Sequence, residues 1–84
     1  MGNYEKLRSR ILEGSSDANI SFDELRQLLR RLGFEERVRG GHHNFRKHGV
    51  EEKVNLQKEG AKAKPYQVRQ VRAVILKYRL GGPS

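Results

Sequence analysis

The sequence predicts a small α+β domain, with helices packed on one face of a three-stranded antiparallel sheet. Three observations point there. Apolar residues recur at helical spacing on both sides of a central stretch. Within that stretch the pattern switches to alternation, the mark of a strand with one buried face. Two turn pairs, Gly40-Gly41 and His48-Gly49, divide the alternating stretch into three. At 84 residues the chain has the length of one domain, and 35% apolar residues give it a modest core.

The elements follow in order. Residues 4–12 place Tyr4, Leu7, Ile11 and Leu12 on one face of a short helix, and residues 14–19 (GSSDAN) form a polar linker. Ser21 and Glu24 have the spacing of a capping box. Behind it Phe22, Leu25, Leu28, Leu29 and Leu32 form one stripe, closed by Gly33 as C-cap. Arg26, Arg30 and Arg31 lie opposite that stripe. Phe34, Glu36 and Val38 then alternate with Glu35, Arg37 and Arg39, and are expected to face inward. Gly40-Gly41 suits a two-residue hairpin turn, because glycine reaches positive φ at little cost. Residues 42–47 form the second strand with Phe45 inward, and residues 51–57 the third with Val54 and Leu56 inward. Residues 58–64 (KEGAKAK) are expected as a flexible basic loop. Pro65 suits the first position of a last helix, where its missing N–H is no loss. There Val68, Val71, Val74, Ile75 and Tyr78 share one arc, Gly81 ends the helix, and residues 82–84 trail as a flexible tail.

If both main helices cover the apolar side of the sheet, the other side is open. Strand parity assigns it Arg37, Arg39, His42, Asn44, Arg46, Lys53 and Asn55, with Glu35 as its one acid. A slip of one residue at the Gly-Gly turn would exchange His42 and His43.

The charge points the same way. Eighteen Lys and Arg face ten Asp and Glu, and residues 61–84 hold six of the bases and no acid. Such a footprint attracts phosphates, so nucleic acid is the expected partner class. There is no cysteine, which excludes disulfides, thiolate metal sites and a cysteine nucleophile. No apolar run approaches a membrane span, and MGNYEKLRSR lacks the apolar core of a secretory signal. The expectation is a soluble cytoplasmic protein without a membrane partner. The acids form no paired-carboxylate constellation, and His42, His43 and His48 lack metal-ligand spacing. No metal, small-molecule or other cofactor is expected.

Two stretches carry a family resemblance: ISFDELRQLLRRLGFEERVRGGHHNF and VNLQKEGAKAKPYQVRQVRAVILKY. In this order and spacing they resemble the HicA toxins of bacterial and archaeal toxin–antitoxin pairs. The likeness covers roughly residues 19–80, and residues 1–19 look like the extra helix and linker of a longer subgroup. The resemblance implies a double-stranded-RNA-binding-domain-like fold over a core of residues 20–80. It implies a metal-independent endoribonuclease, an mRNA interferase, and a HicB-like antitoxin that covers its active surface. The family's histidine follows Gly-Ser directly, which carries the catalytic role over to His42. Here Gly41 stands in place of that Ser, which implies a lost hydroxyl and attenuated cleavage.

The residues themselves support phosphodiester chemistry. RNA brings its own nucleophile, the 2′-OH, and needs a base, an acid and cations around the phosphate. Histidine titrates near neutrality and serves as either acid or base. His42 is the candidate for that role, with Arg39, Arg46 and Lys53 as phosphate contacts. Arg37, Gly40, Gly41, Asn44, Lys62, Lys64, Arg69 and Arg72 complete the candidate RNA-binding set. Tyr66 either stacks on a base or wedges the last helix against the sheet. Two other classes stay open from the residues alone: a non-catalytic RNA-binding module, and an interaction unit whose basic face docks an acidic antitoxin.

Overall fold

The computed structural model describes residues 2–81. Helices α1 (Gly2–Glu13), α2 (Phe22–Arg31) and α3 (Pro65–Tyr78) accompany a sheet of β1 (Glu35–Arg39), β2 (His42–Arg46) and β3 (Val54–Leu56). The sheet is antiparallel in the order β1-β2-β3. The chain is therefore a small α+β domain with three helices and a three-stranded antiparallel sheet. The tail expected at residues 82–84 lies outside the described residues.

Local chemistry sets the element ends. Ser21 Oγ accepts from the Glu24 N–H, so a free amide at the start of α2 is satisfied by the cap. At the other end Gly33 sits at φ +101°, where a side chain is strained. The Gly33 and Phe34 N–H groups return to the Arg30 and Leu29 carbonyls, the paired bonds of a Schellman turn. Pro65 opens α3 as the sequence predicts.

Phe45, Val54 and Leu56 point to the same side of the sheet and are fully buried. They share one cluster with Phe22, Leu25, Leu28 and Leu29 of α2 and Val68, Val71, Val74 and Ile75 of α3. Each such side chain contributes about 1.5–3 kcal/mol of apolar transfer. Leu7 and Ile11 join them, which makes α1 part of the core. Arg8 binds the Leu80 carbonyl through Nε and Nη2 at 3.1 and 2.9 Å, and Arg31 stacks over the Tyr4 ring.

Four expectations are corrected. The third strand begins only at Val54, because residues 51–53 fold onto α3. The Glu51 N–H donates to the Tyr78 hydroxyl, Glu52 accepts from Lys77 and Tyr78, and Gln70 donates to the Lys53 carbonyl. Residues 58–64 are not a loose loop. They form a hairpin of β4 (Lys58–Glu59) and β5 (Lys62–Ala63), turned at Gly60 with φ +65°. Bonds from the Phe22 N–H to the Ala61 carbonyl and from the Ala63 N–H to the Ile20 carbonyl stitch it to the start of α2. Helix α3 ends at Tyr78, and Arg79 rather than Gly81 takes the left-handed cap, at φ +53°. Val38 has the expected parity but is 54% exposed, since it lies on an edge strand beside the hairpin tip.

Candidate nucleic-acid interface

The register decides which histidine lies where. β1 and β2 pair Arg39 with His42, Arg37 with Asn44 and Glu35 with Arg46, while β2 and β3 pair Asn44 with Asn55. Side chains alternate along a strand, so these residues share the face opposite the core. His43, opposite Val38 and Leu56, belongs to the core side. No slip occurs at the turn. Gly40 carries φ +57° there, whereas Gly41 is outside the left-handed region.

On the open face lies a groove of about 780 Å³. Its lining includes Arg37, Arg39, Asn44, Arg46, Lys47, His48 and Lys53, with Glu35 as its one carboxylate. Five cations against one acid give the groove a positive potential, and a concave low-dielectric wall concentrates their field. Lys53 is aimed into the groove by its tethered loop: Gln70 holds its carbonyl, and the neighbouring Glu52 is anchored to α3. Sequence reading missed Lys47 and His48 as members of this lining. Both follow β2 directly, at the turn closed by the bond from the Val50 N–H to the Lys47 carbonyl.

His42 does not line the groove. It is exposed at the hairpin end, beside its cross-strand partner Arg39. Its Nε2 lies 3.3 Å from Gln57 Nε2, and Gln57 Oε1 accepts from Lys64 Nζ at 3.4 Å. The Gln57 N–H in turn donates to Oε1 of Gln67, a polar side chain only 1% exposed at the start of α3. Gln57 was not singled out in the sequence. The signal was present in the meander itself, because the pairing of His43 with Leu56 makes Gln57 the neighbour of His42.

The rest of the candidate set divides. Gly40 and Gly41 form the hairpin turn between Arg39 and His42, and Lys64 reaches the His42 neighbourhood through Gln57. Lys62 donates to Asn19 Oδ1 at 2.8 Å, on the β4–β5 hairpin. Arg69 is exposed on α3, away from the open face. Arg72 does not join the interface. Its guanidinium clamps Asp17 at 2.9 and 3.3 Å and the Ile11 carbonyl at 3.1 Å, which ties α3 to α1 and the 3₁₀ turn Asp17–Asn19. Lys77 is likewise paired with Glu52, whose carboxyl is held down at about 2 by hydrogen bonds from Lys77 and Tyr78. The basic block of residues 61–84 is thus shared among several faces.

His43 has its own surroundings. Its Nδ1 lies 2.7 Å from Glu36 Oε2, and its ring meets Phe22 edge-on at 4.9 Å. Glu36 also accepts from Arg26 Nε at 2.5 Å. Burial pushes the Glu36 carboxyl up, but the hydrogen bonds from Arg26 and His43 outweigh it and hold the carboxyl below its usual value. The trio joins α2 to the first hairpin from the core side.

Among the described residues no group of three or more His, Asp or Glu is placed to hold a metal ion, and no helix is long and apolar enough to cross a membrane. No family model matches the chain, and no curated protein and no solved structure was found to match it.

Proposed function

We propose that the chain is a HicA-like toxin, a metal-independent endoribonuclease that cleaves mRNA on the open face of its sheet. The observation that carries this reading is the juxtaposition of His42 with Arg39 at one end of a cationic groove. A backbone phosphate lying along the groove meets Arg37, Arg46 and Lys53. The same strand continued past Arg39 reaches an imidazole able to move the 2′-OH proton. The double-stranded-RNA-binding-domain-like fold belongs to this proposal, as does a HicB-like antitoxin that inhibits by covering the face. Cytoplasmic location belongs to it as well.

A second reading rests on a specific observation. Neither His43, bound to Glu36 on the core side, nor His48, at the far turn, accompanies His42 as a second proton carrier. A weak or inactive RNA-binding module that mainly binds the antitoxin fits that arrangement. Gly41 separates the two readings. A Cβ at Gly41 meets nothing within 4 Å and needs no left-handed φ, so the family's Ser fits here without strain.

The test is incubation of labelled single-stranded RNA with the protein in EDTA, beside His42→Ala and Gly41→Ser. The nuclease reading expects cleavage that His42→Ala abolishes and Gly41→Ser accelerates. Intact RNA with all three folded proteins, together with salt-sensitive binding, supports the binding module instead.

A further inference from the structure

Which proton job His42 performs is open in the reading above, and its neighbours answer it. An amide side chain offers a donor at nitrogen and an acceptor at oxygen, and its orientation must be inferred from its partners. At Gln57 the partner is decisive. Lys64 Nζ only donates, so the atom of Gln57 that faces it at 3.4 Å is the oxygen. The nitrogen is left facing His42 Nε2 at 3.3 Å. That nitrogen only donates as well, so His42 Nε2 is the acceptor. A neutral imidazole that accepts at Nε2 carries its one proton on Nδ1.

The rest of the site holds this chain of bonds in place. Gln57 directly follows β3, and its backbone N–H is pinned at 3.0 Å by the buried Gln67. Lys64 is the N-cap residue of α3, so its stem starts from a fixed point. Two elements of the core, β3 and α3, therefore set the direction of one exposed imidazole.

We propose that Gln57, oriented by Lys64, is a positioning residue that holds His42 with its proton on Nδ1 and its lone pair on Nε2, ready to act as the general base. This rests on the ribonuclease reading for its chemical consequence, though not for its geometry. The step is then defined. The 2′-OH approaches Nε2 and displaces the long Gln57 contact. Its proton moves to Nε2 as the 2′-oxygen bonds to phosphorus, and the bond from phosphorus to the 5′-oxygen breaks. The 5′-oxygen takes a proton from the imidazolium or from water, and in the second case the imidazolium returns its proton to solvent. The products are a 2′,3′-cyclic phosphate and a 5′-hydroxyl end.

The experiment reads the tautomer directly and needs no substrate. Side-chain ¹⁵N spectra are recorded at about pH 8.5, well above the ordinary titration of imidazole, with His42→Ala to assign the signals. The wild type is expected in the Nδ1–H form. Gln57→Glu, whose carboxylate only accepts, is expected to switch His42 to Nε2–H. Lys64→Met releases the amide, and a mixture of both forms is expected. A wild-type His42 in the Nε2–H form overturns the proposal, as does a tautomer that ignores Gln57→Glu. In parallel, Gln57→Leu is expected to lower kcat for RNA cleavage about tenfold with KM little changed, and Gln57→Asn to recover part of the loss. Equal kcat in Gln57→Leu and wild type overturns the positioning role. Failure of the wild type to cut RNA would instead sink the ribonuclease reading while the spectra still decide the geometry.

Discussion

Replacing Glu36 by Ala removes one carboxylate from the core side of the sheet and leaves its two donors without a partner. The Glu36 side chain is 8% exposed, and it accepts from Arg26 at 2.5 Å and His43 at 2.7 Å. Hydrogen bonds to a charged group contribute about 1.5–3 kcal/mol each. The full sum is not lost, because the Arg26 side chain is 31% exposed and can turn to water. His43 is held against Phe22 and has less freedom. The expected cost is therefore about one such bond, about 2 kcal/mol. For a domain of this size that lowers Tm by about 8–16 °C. Thermal and urea unfolding followed by circular dichroism measures it. The chain supplies its own control in Glu35, which is adjacent in sequence but lies on the open face. Glu35→Ala is expected to change stability by no more than about 0.5 kcal/mol. If the two variants unfold within about 0.5 kcal/mol of each other, the assignment of the trio as a fold-holding cluster is wrong.

Other outcomes are expected together. Gly40→Ala should destabilise by about 1–2 kcal/mol through its left-handed φ, while Gly41→Ala should be neutral or slightly stabilising; paired urea titrations decide it. Glu52 has a lowered folded value of about 2, so its stabilising effect is full above the unfolded carboxylate value of 4.5 and disappears as pH falls through about 2. Acid titration should show that loss between those limits, and Tyr78→Phe should shrink it. Arg46→Ala should weaken RNA binding across sequences and reduce the slope of log K against log salt by about 0.7 for a single strand, whereas Arg72→Ala should leave the slope unchanged and lower Tm.

The fold was legible wherever the signal was local. The Ser21 cap, the Gly33 stop, the Gly-Gly hairpin and Pro65 each act within a few residues of where they stand. What escaped was set by contacts between distant segments. KEGAKAK has too little alternation to suggest strands, and its hairpin is stabilised by bonds to the start of α2 some forty residues earlier. Residues 51–53 read as strand by continuity, but Gln70 and the last turn of α3 capture their polar groups. Of the site, parity alone placed Arg37, Arg39, His42, Asn44 and Arg46 on one face. Net charge was the weaker guide, since it gave no hint that Asp17 claims Arg72 across fifty-five positions.

The doubled histidine is best understood as two residues that share a peptide bond and little else. His42 extends into solvent, where its loss would change the open face and leave the domain standing. His43 extends toward Phe22 and Glu36, where its loss would loosen the domain and leave the open face chemically complete. The same division runs through β2, whose even-numbered side chains face the groove side and whose odd-numbered ones face the core. Mutations along this strand should therefore fall into two alternating classes, one altering the open face and the other how much of the protein is folded.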